Sequence, residues 1–115
     1  FGIRKYYADP EKGDTEISLF GGEHFKDDLE GICILKTEDN KGYLIVSNQG
    51  DNSFNVFKRD TNSFVKKINL GTKETDGCDI TTVSLGEKFP NGLLVTMNDE
   101  GNFFFHDPQT LGLEK

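Results

Sequence analysis

Two pairs of segments in this chain repeat one another, and this internal repeat narrows the folds open to the sequence. GYLIVSNQGDNSFNVFKRD (42–60) aligns with GLLVTMNDEGNFFFHDP (92–108), 50 residues apart when measured from 42 to 92. Upstream, EGICI (30–34) aligns with DGCDI (76–80), 46 residues apart when measured from 30 to 76. Self-similarity at such a period is typical of architectures in which each repeat is one supersecondary unit.

The repeated segments have the composition of β-strands. Short runs of Ile, Val, Phe and Tyr alternate with clusters of Gly, Asn, Asp and Pro, which favour turns. No segment of ten residues or more shows the apolar spacing of a surface helix. The sequence therefore predicts an all-β fold with nine strands, at residues 2–8, 15–20, 30–37, 42–48, 53–58, 63–70, 78–85, 92–98 and 102–106.

Four short antiparallel strands per repeat indicate the blades of a β-propeller. Within one propeller domain over 1–115, we expect 1–20 to end one blade, 27–70 to form a complete blade and 75–108 to form most of the next. Because a blade covers its apolar faces only against neighbours, about two and a half blades do not close a ring. We favour a part of a longer chain over a ring assembled from several copies, which the mass in solution would reveal.

Charge and composition exclude some classes of function. The formal net charge of −7 argues against nucleic acid as a partner, because phosphates require Lys and Arg for neutralisation. No apolar run approaches the roughly 20 residues of a membrane-spanning helix. The excess of carboxylates suits either a cation-binding surface or simple solubility. Cys33 and Cys78 lie in apolar runs, where two small buried side chains are favoured and a disulfide is the alternative.

A carboxylate followed by glycine begins the first strand of each repeat, as Glu30–Gly31 and as Asp76–Gly77. First strands line the channel of a propeller, so these carboxylates are expected to meet at its mouth, with Asp28 on the same side as Glu30 if the segment is extended. Neighbouring carboxylates repel unless a cation neutralises them, and calcium prefers such oxygen ligands. Glycine would let the backbone approach an ion. The alternative is that both dipeptides are ordinary turns.

Three longer motifs resemble the β-propeller phytases. These are DLEGICILKTEDNKGYLIVSNQGDNSFNVFKRD, then ETDGCDITTVSLGEKFPNGLLVTMNDEGN, and the opening FGIRKYYADP, which together extend the similarity over about residues 1–102. The resemblance implies a six-bladed propeller that hydrolyses myo-inositol hexakisphosphate (phytate) with calcium ions at the top of its channel. It also implies a secreted or periplasmic location and contacts with the remaining blades of the same propeller.

The resemblance carries over to particular residues. Asp28 and Glu30 correspond to the acidic pair of the family's D-x-E-G motif, Gln49 to the amide of S-x-Q-G, and Asp76 to the aspartate of T-D-G. All four are expected to bind calcium or support its ligands, and Glu30 and Asp76 are also assigned to the catalytic centre. Calcium would bridge the phosphates and acidify a bound water.

The chain also departs from the family pattern. TKETDG lacks an acidic, glycine-rich insertion, NDEGN replaces D-G-E-N, and Arg4 stands where the family usually has Trp. The basic residues that hold phosphate belong to earlier blades, so the chain alone is expected to be inactive. The alternative function is a non-catalytic, phytase-like scaffold for protein contacts. His24 and His106 lack a nearby nucleophile motif and are given no catalytic role, and the Phe run at 103–105 is expected to pack between blades.

Overall fold

Three antiparallel sheets make up the computed structural model, which describes residues 2–26 and 28–114. In the first sheet β1 (Ile3–Lys5) pairs with β2 (Ser18–Phe20). The second sheet has the order β3 (Leu29–Lys36), β4 (Gly42–Asn48), β5 (Ser53–Lys58) and β6 (Phe64–Ile68). The third contains β7 (Cys78–Thr81), β8 (Leu93–Met97) and β9 (Phe103–His106). In all three sheets, neighbours in sequence are neighbours in space, as in the blades of a propeller.

The all-β fold and all nine predicted strands are confirmed. Within the described residues the helical elements are short 3-10 turns, at Pro10–Lys12, Gly22–His24, Gln49–Asp51 and Pro108–Leu111. None of the described helices is long and apolar enough to cross a membrane. The three sheets do not close into a ring, and the expected domain bounds at residues 1, 27 and 115 lie outside the described residues. The division of the chain into blades of one domain stays a prediction.

Several strands are shorter than predicted, and after two of them side chains fold the backbone into turns. After β1, the Asp9 carboxylate accepts a hydrogen bond from the Glu11 amide at 2.9 Å, and Pro10 begins a 3-10 turn. β7 ends at Thr81, four residues early, where the Thr81 hydroxyl accepts from the amide of Val83 at 3.3 Å. Such local bonds compete with strand pairing.

The second sheet lies between the other two and is covered on both faces. On one face a core forms against the third sheet, and its buried members are Cys33, Leu35, Ile45, Phe54, Val56, Leu94 and Leu111. On the opposite face Phe25, Val46 and Phe57 pack with partly buried side chains of β1 and β2. Neighbouring residues such as Ile45 and Val46 point to opposite faces, as the pleat of a strand requires.

The outer face of the third sheet carries exposed apolar side chains. Phe103 and Phe105 on β9 are 64% and 61% exposed, whereas Leu94 and Thr96 on the inner face of β8 are fully buried. An uncovered aromatic face of this kind is typical of a surface that packs against another element.

Candidate functional site

Gly31 on the first strand of the second sheet lies close to Gly77, directly before the first strand of the third. A Cβ placed on Gly31 would lie 2.9 Å from the Cα of Gly77 and 3.1 Å from the amide nitrogen of Cys78, both too close for a side chain. Gly31 thus lets its strand approach the backbone of the neighbouring sheet. The predicted approach of a glycine to an ion stays a prediction.

The two predicted carboxylates are next in sequence to this contact. Glu30 and Asp76 directly precede the two glycines, and both side chains are exposed. On β3 the exposed Glu30 is followed by the buried Gly31, so the carboxylate lies on the face turned away from the core. Asp28 is also exposed and lies just before β3. Each of Glu30 and Asp76 is thus adjacent to one glycine of the contact between the sheets.

Gln49 and Asp76 are in direct contact. Gln49 is the first residue of the turn after β4, and its Nε2 donates a hydrogen bond to Oδ1 of Asp76 at 2.5 Å. The bond joins the second sheet to the segment that leads into the third. The bond does not involve the side-chain oxygen of Gln49 (Oε1) or the second carboxylate oxygen of Asp76. Both oxygens therefore remain possible metal ligands.

These residues supply only part of a metal site. Among residues 2–26 and 28–114, no group of three or more His, Cys, Asp or Glu side chains is arranged to hold a metal ion. Asp28, Glu30 and Asp76 therefore do not form a complete ligand set by themselves. The donors are nonetheless carboxylate and amide oxygens, which fit calcium with its six to eight oxygen ligands. Their role as ligands stays a prediction.

The segment 72–77, called here the Asp76 loop, is anchored to the second sheet. The buried Ser47 hydroxyl donates to the carbonyl oxygen of Thr75, and the amide of Glu74 donates to Oδ1 of Asn52 at 2.9 Å. Thr75 is itself only 3% exposed. One buried and one exposed hydrogen bond on this side of the Asp76 loop thus fix the backbone that carries the carboxylate.

The same loop is also anchored to the third sheet. Oδ1 of Asn98, at the end of β8, accepts a hydrogen bond from the Lys73 amide at 2.8 Å, and Nδ2 of Asn98 donates to Asn102 at 2.9 Å. A backbone bond of 3.1 Å joins the amide of Asp99 to the carbonyl of Lys73. The Asp76 loop is therefore held from both sides.

Asn48, which aligns with Asn98 in the repeat, anchors a backbone segment to the second sheet through its side-chain amide. Its Oδ1 accepts from the Lys26 amide at 3.2 Å, and its Nδ2 donates to the His24 carbonyl at 3.3 Å. Both asparagines are buried, with exposed fractions of 1% and 5%. Each therefore fixes the segment that leads into a carboxylate–glycine pair.

These supporting residues were not predicted from the sequence. Ser47 belongs to the S-x-Q-G motif, and the alignment of Asn48 with Asn98 was a visible signal without an assigned role. A buried Asn repeated at the end of equivalent strands indicates a polar side chain that anchors backbone, because buried amides need partners.

One nearby carboxylate is already paired with a cation. Lys67 forms an ion pair with Asp51, two residues after Gln49. The hydrogen bond from Lys67 and its charge hold the pKa of Asp51 below its ordinary value. Asp51 thus belongs to a surface ion pair, whereas Gln49 faces Asp76.

Comparisons with known proteins identify the family to which this chain is similar. The family model described as Phytase matches residues 1–107. A 3-phytase of Bacillus subtilis (strain 168) is 33% identical to this chain over an alignment of 108 residues, which covers 85% of this chain and 28% of the relative. The chain thus spans less than a third of the length of that relative.

Proposed function

The chain belongs to the phytase family, and from this premise we propose that it is part of a calcium-dependent phosphomonoester hydrolase acting on myo-inositol hexakisphosphate. The relative from Bacillus subtilis carries the name 3-phytase, which supports this class of substrate and reaction. The chain contributes one sector of the site, and residues 1–115 alone are expected to be inactive.

The observation that carries the proposal is the hydrogen bond between an amide side chain after β4 and the carboxylate that leads into β7. Asp76 accepts from Gln49 at 2.5 Å, and Glu30 directly precedes the glycine that lies against Gly77. The chain has a formal net charge of −7, so its own charge repels a polyphosphate. A cation between carboxylates and phosphates reverses that repulsion, as in other phosphoryl-transfer sites.

Each residue has a distinct task in this proposal. Asp76 and Glu30 present carboxylate oxygens, and Asp28 adds a third from the segment before β3. Gln49 orients Asp76 through its amide hydrogen, because the bond fixes one of the two carboxylate oxygens. Bound calcium would supply charge neutralisation for the phosphates and a more acidic water.

The proposal is tested by titrating calcium into the full-length protein while phosphate release from phytate is followed. We expect release to require calcium, and Asp76→Asn to raise the calcium concentration for half-maximal activity at least tenfold, about 1.4 kcal/mol of binding free energy. Asp39→Asn is the matched control, because Asp39 is an exposed aspartate in the turn at the other end of β3. Calcium-independent release, or an unchanged calcium requirement in Asp76→Asn, would contradict the proposal.

A non-catalytic scaffold is the second candidate function, and one observation favours it. In the altered NDEGN segment, Asn98 and Asn102 bond to each other at 2.9 Å, so both amides are engaged within the protein. A scaffold would fold and bind partners without releasing phosphate at any calcium concentration. The same titration therefore separates the two candidates.

A further inference from the structure

Cys33 and Cys78 lie in different sheets but touch one another. Cys33 is on β3, and Cys78 is the first residue of β7. Their sulfur atoms are 3.2 Å apart, and both cysteines are free thiols in this structure. Cys33 is 4% exposed and Cys78 is partly buried. The two thiols therefore meet inside the contact between the sheets.

We propose that Cys33 and Cys78 form a disulfide that covalently joins the second sheet to the third. The sulfurs of a disulfide are about 2.05 Å apart, so the two atoms need to move only about 1 Å closer. Rotation about the Cα–Cβ bonds supplies a movement of this size without displacing the strands.

The backbone around the two cysteines is already held at close range. Gly31, two residues before Cys33, leaves no room for a Cβ against Gly77 and the amide of Cys78. The β-carbons of a disulfide must approach within about 4.5 Å, a spacing that strands kept apart by larger side chains do not reach. The glycines that close the gap between the sheets therefore also favour the cross-link.

The surroundings suit a disulfide better than a pair of reactive thiols exposed to solvent. Cys33 belongs to the apolar core with Ile45 and Leu94, and Cys78 packs against the same core. A disulfide places no hydrogen-bond donor in that core, whereas two thiols place two there. The packing of the apolar core is thus compatible with a disulfide between Cys33 and Cys78.

The two thiols differ in exposure, which sets the order of reaction. Cys33 is 4% exposed, whereas Cys78 is only partly buried. A small disulfide in solvent therefore reaches Cys78 first. Cys78 is the attacking thiol, and it reacts as its thiolate.

The reaction is a thiol–disulfide exchange with a low-molecular-weight disulfide such as oxidised glutathione. The Cys78 thiolate attacks one sulfur of that molecule, forms a mixed disulfide and releases the first thiolate. Cys33 then loses its proton and attacks Sγ of Cys78, which releases the second. Two electrons pass to the small disulfide, which becomes two thiols, and the protein loses two protons.

The test uses the full-length protein, equilibrated in glutathione buffers of increasing oxidising strength both as the native protein and during refolding. Samples are quenched with acid, alkylated and digested without reduction. We expect a peptide pair linked through Cys33 and Cys78, lighter than the two free peptides by two hydrogen atoms. We also expect a higher thermal midpoint for the oxidised protein than for the reduced one.

Two variants complete the test. Cys33→Ala leaves Cys78 without its resolving thiol, so it should retain glutathione as a mixed disulfide, and Cys78→Ala should leave Cys33 unmodified in the native protein. Neither should show the rise in thermal midpoint on oxidation that the cross-link gives to the native protein. Two alkylated cysteines in every buffer, or a cross-link between separate chains on a non-reducing gel, would overturn the proposal. Because no readout involves phosphate release, its failure is distinct from failure of the proposed hydrolase.

Discussion

Asn98 shows how a single buried side chain positions the site without touching a substrate. Its amide accepts from Lys73 at one end and donates to Asn102 at the other. A buried acceptor or donor that loses its partner costs about 1–3 kcal/mol, so both ends matter for stability. Asn48 repeats the arrangement one sheet earlier, which makes this polar anchor a property of the repeat.

The burial of His106 predicts that the stability of the protein depends on pH. Its Nε2 lies 3.0 Å from the Thr96 hydroxyl, and burial lowers its pKa from the ordinary value of 6.5. The unfolded chain therefore binds a proton at a higher pH than the folded chain does. Stability falls as the pH drops below about 6.5 and levels off below the lowered folded pKa.

We expect His106→Gln to remove this part of the pH dependence, because glutamine keeps hydrogen-bonding groups but does not titrate. The measurement is the thermal midpoint of wild type and variant between about pH 7.5 and about pH 5, the range in which histidine changes charge. The midpoint of the variant should fall less across that range. Equal decreases in the two proteins would show that protonation of His106 does not affect stability.

At the scale of elements, the approach of β3 and β7 depends on one glycine more than on the other. A Cβ on Gly31 would clash with the backbone of Gly77, whereas a Cβ on Gly77 meets nothing within 4 Å. The same chemical change therefore has different consequences at aligned positions of the repeat.

We predict that Gly31→Ala lowers the free energy of unfolding by about 1–3 kcal/mol, the usual cost of forcing extra volume into packed structure. Gly77→Ala is the matched control and should change it by less than about 0.5 kcal/mol. Denaturant unfolding of the full-length protein, with both variants measured side by side, provides the comparison. The prediction fails if the two alanine variants are equally stable.

The strands were predictable from the sequence, but the contacts between sheets were not. Gly42 and Gly92 align in the repeat: Gly42 is the first residue of β4, Gly92 directly precedes β8, and both have positive φ, at 131° and 100°. Their position could be read because local composition decides where a strand begins. The partner of Gly31 could not, because Gly77 comes close only once two sheets pack.

In the candidate site, too, the residues were predictable from the sequence but the contacts between them were not. Residue types and the repeat singled out Glu30 and Asp76, and both side chains are exposed in the structure. The bond between Gln49 and Asp76 joins side chains that are 27 positions apart. No local pattern reports such a pair, and the buried Ser47 and Thr75 beneath it carry no charge that would mark them.

At the scale of the whole molecule, the three sheets are unequally covered. The second sheet has a core on each face, whereas the third leaves Phe103 and Phe105 more than half exposed. A further blade that packed on this aromatic face would cover both side chains, and the packing of the Phe run between blades stays a prediction.

A polypeptide of residues 1–115 alone is therefore expected to bind a hydrophobic dye and to self-associate, as measured by fluorescence and light scattering. Replacing Phe103 and Phe105 by Ser should reduce both signals. In the full-length protein the same double variant should instead lower stability, by about 3 kcal/mol or more for each Phe that a neighbouring blade buries. Unchanged stability there would mean that no blade covers this face.

The Asp76 loop is fastened to two sheets at once, by Ser47 and Asn52 on one side and by Asn98 on the other. The position of the Asp76 carboxylate therefore depends on the spacing between the second and third sheets. A ligand that binds Asp76 in one position favours one spacing of the two sheets. Because such coupling is reciprocal, the preferred spacing also changes the affinity of Asp76 for that ligand.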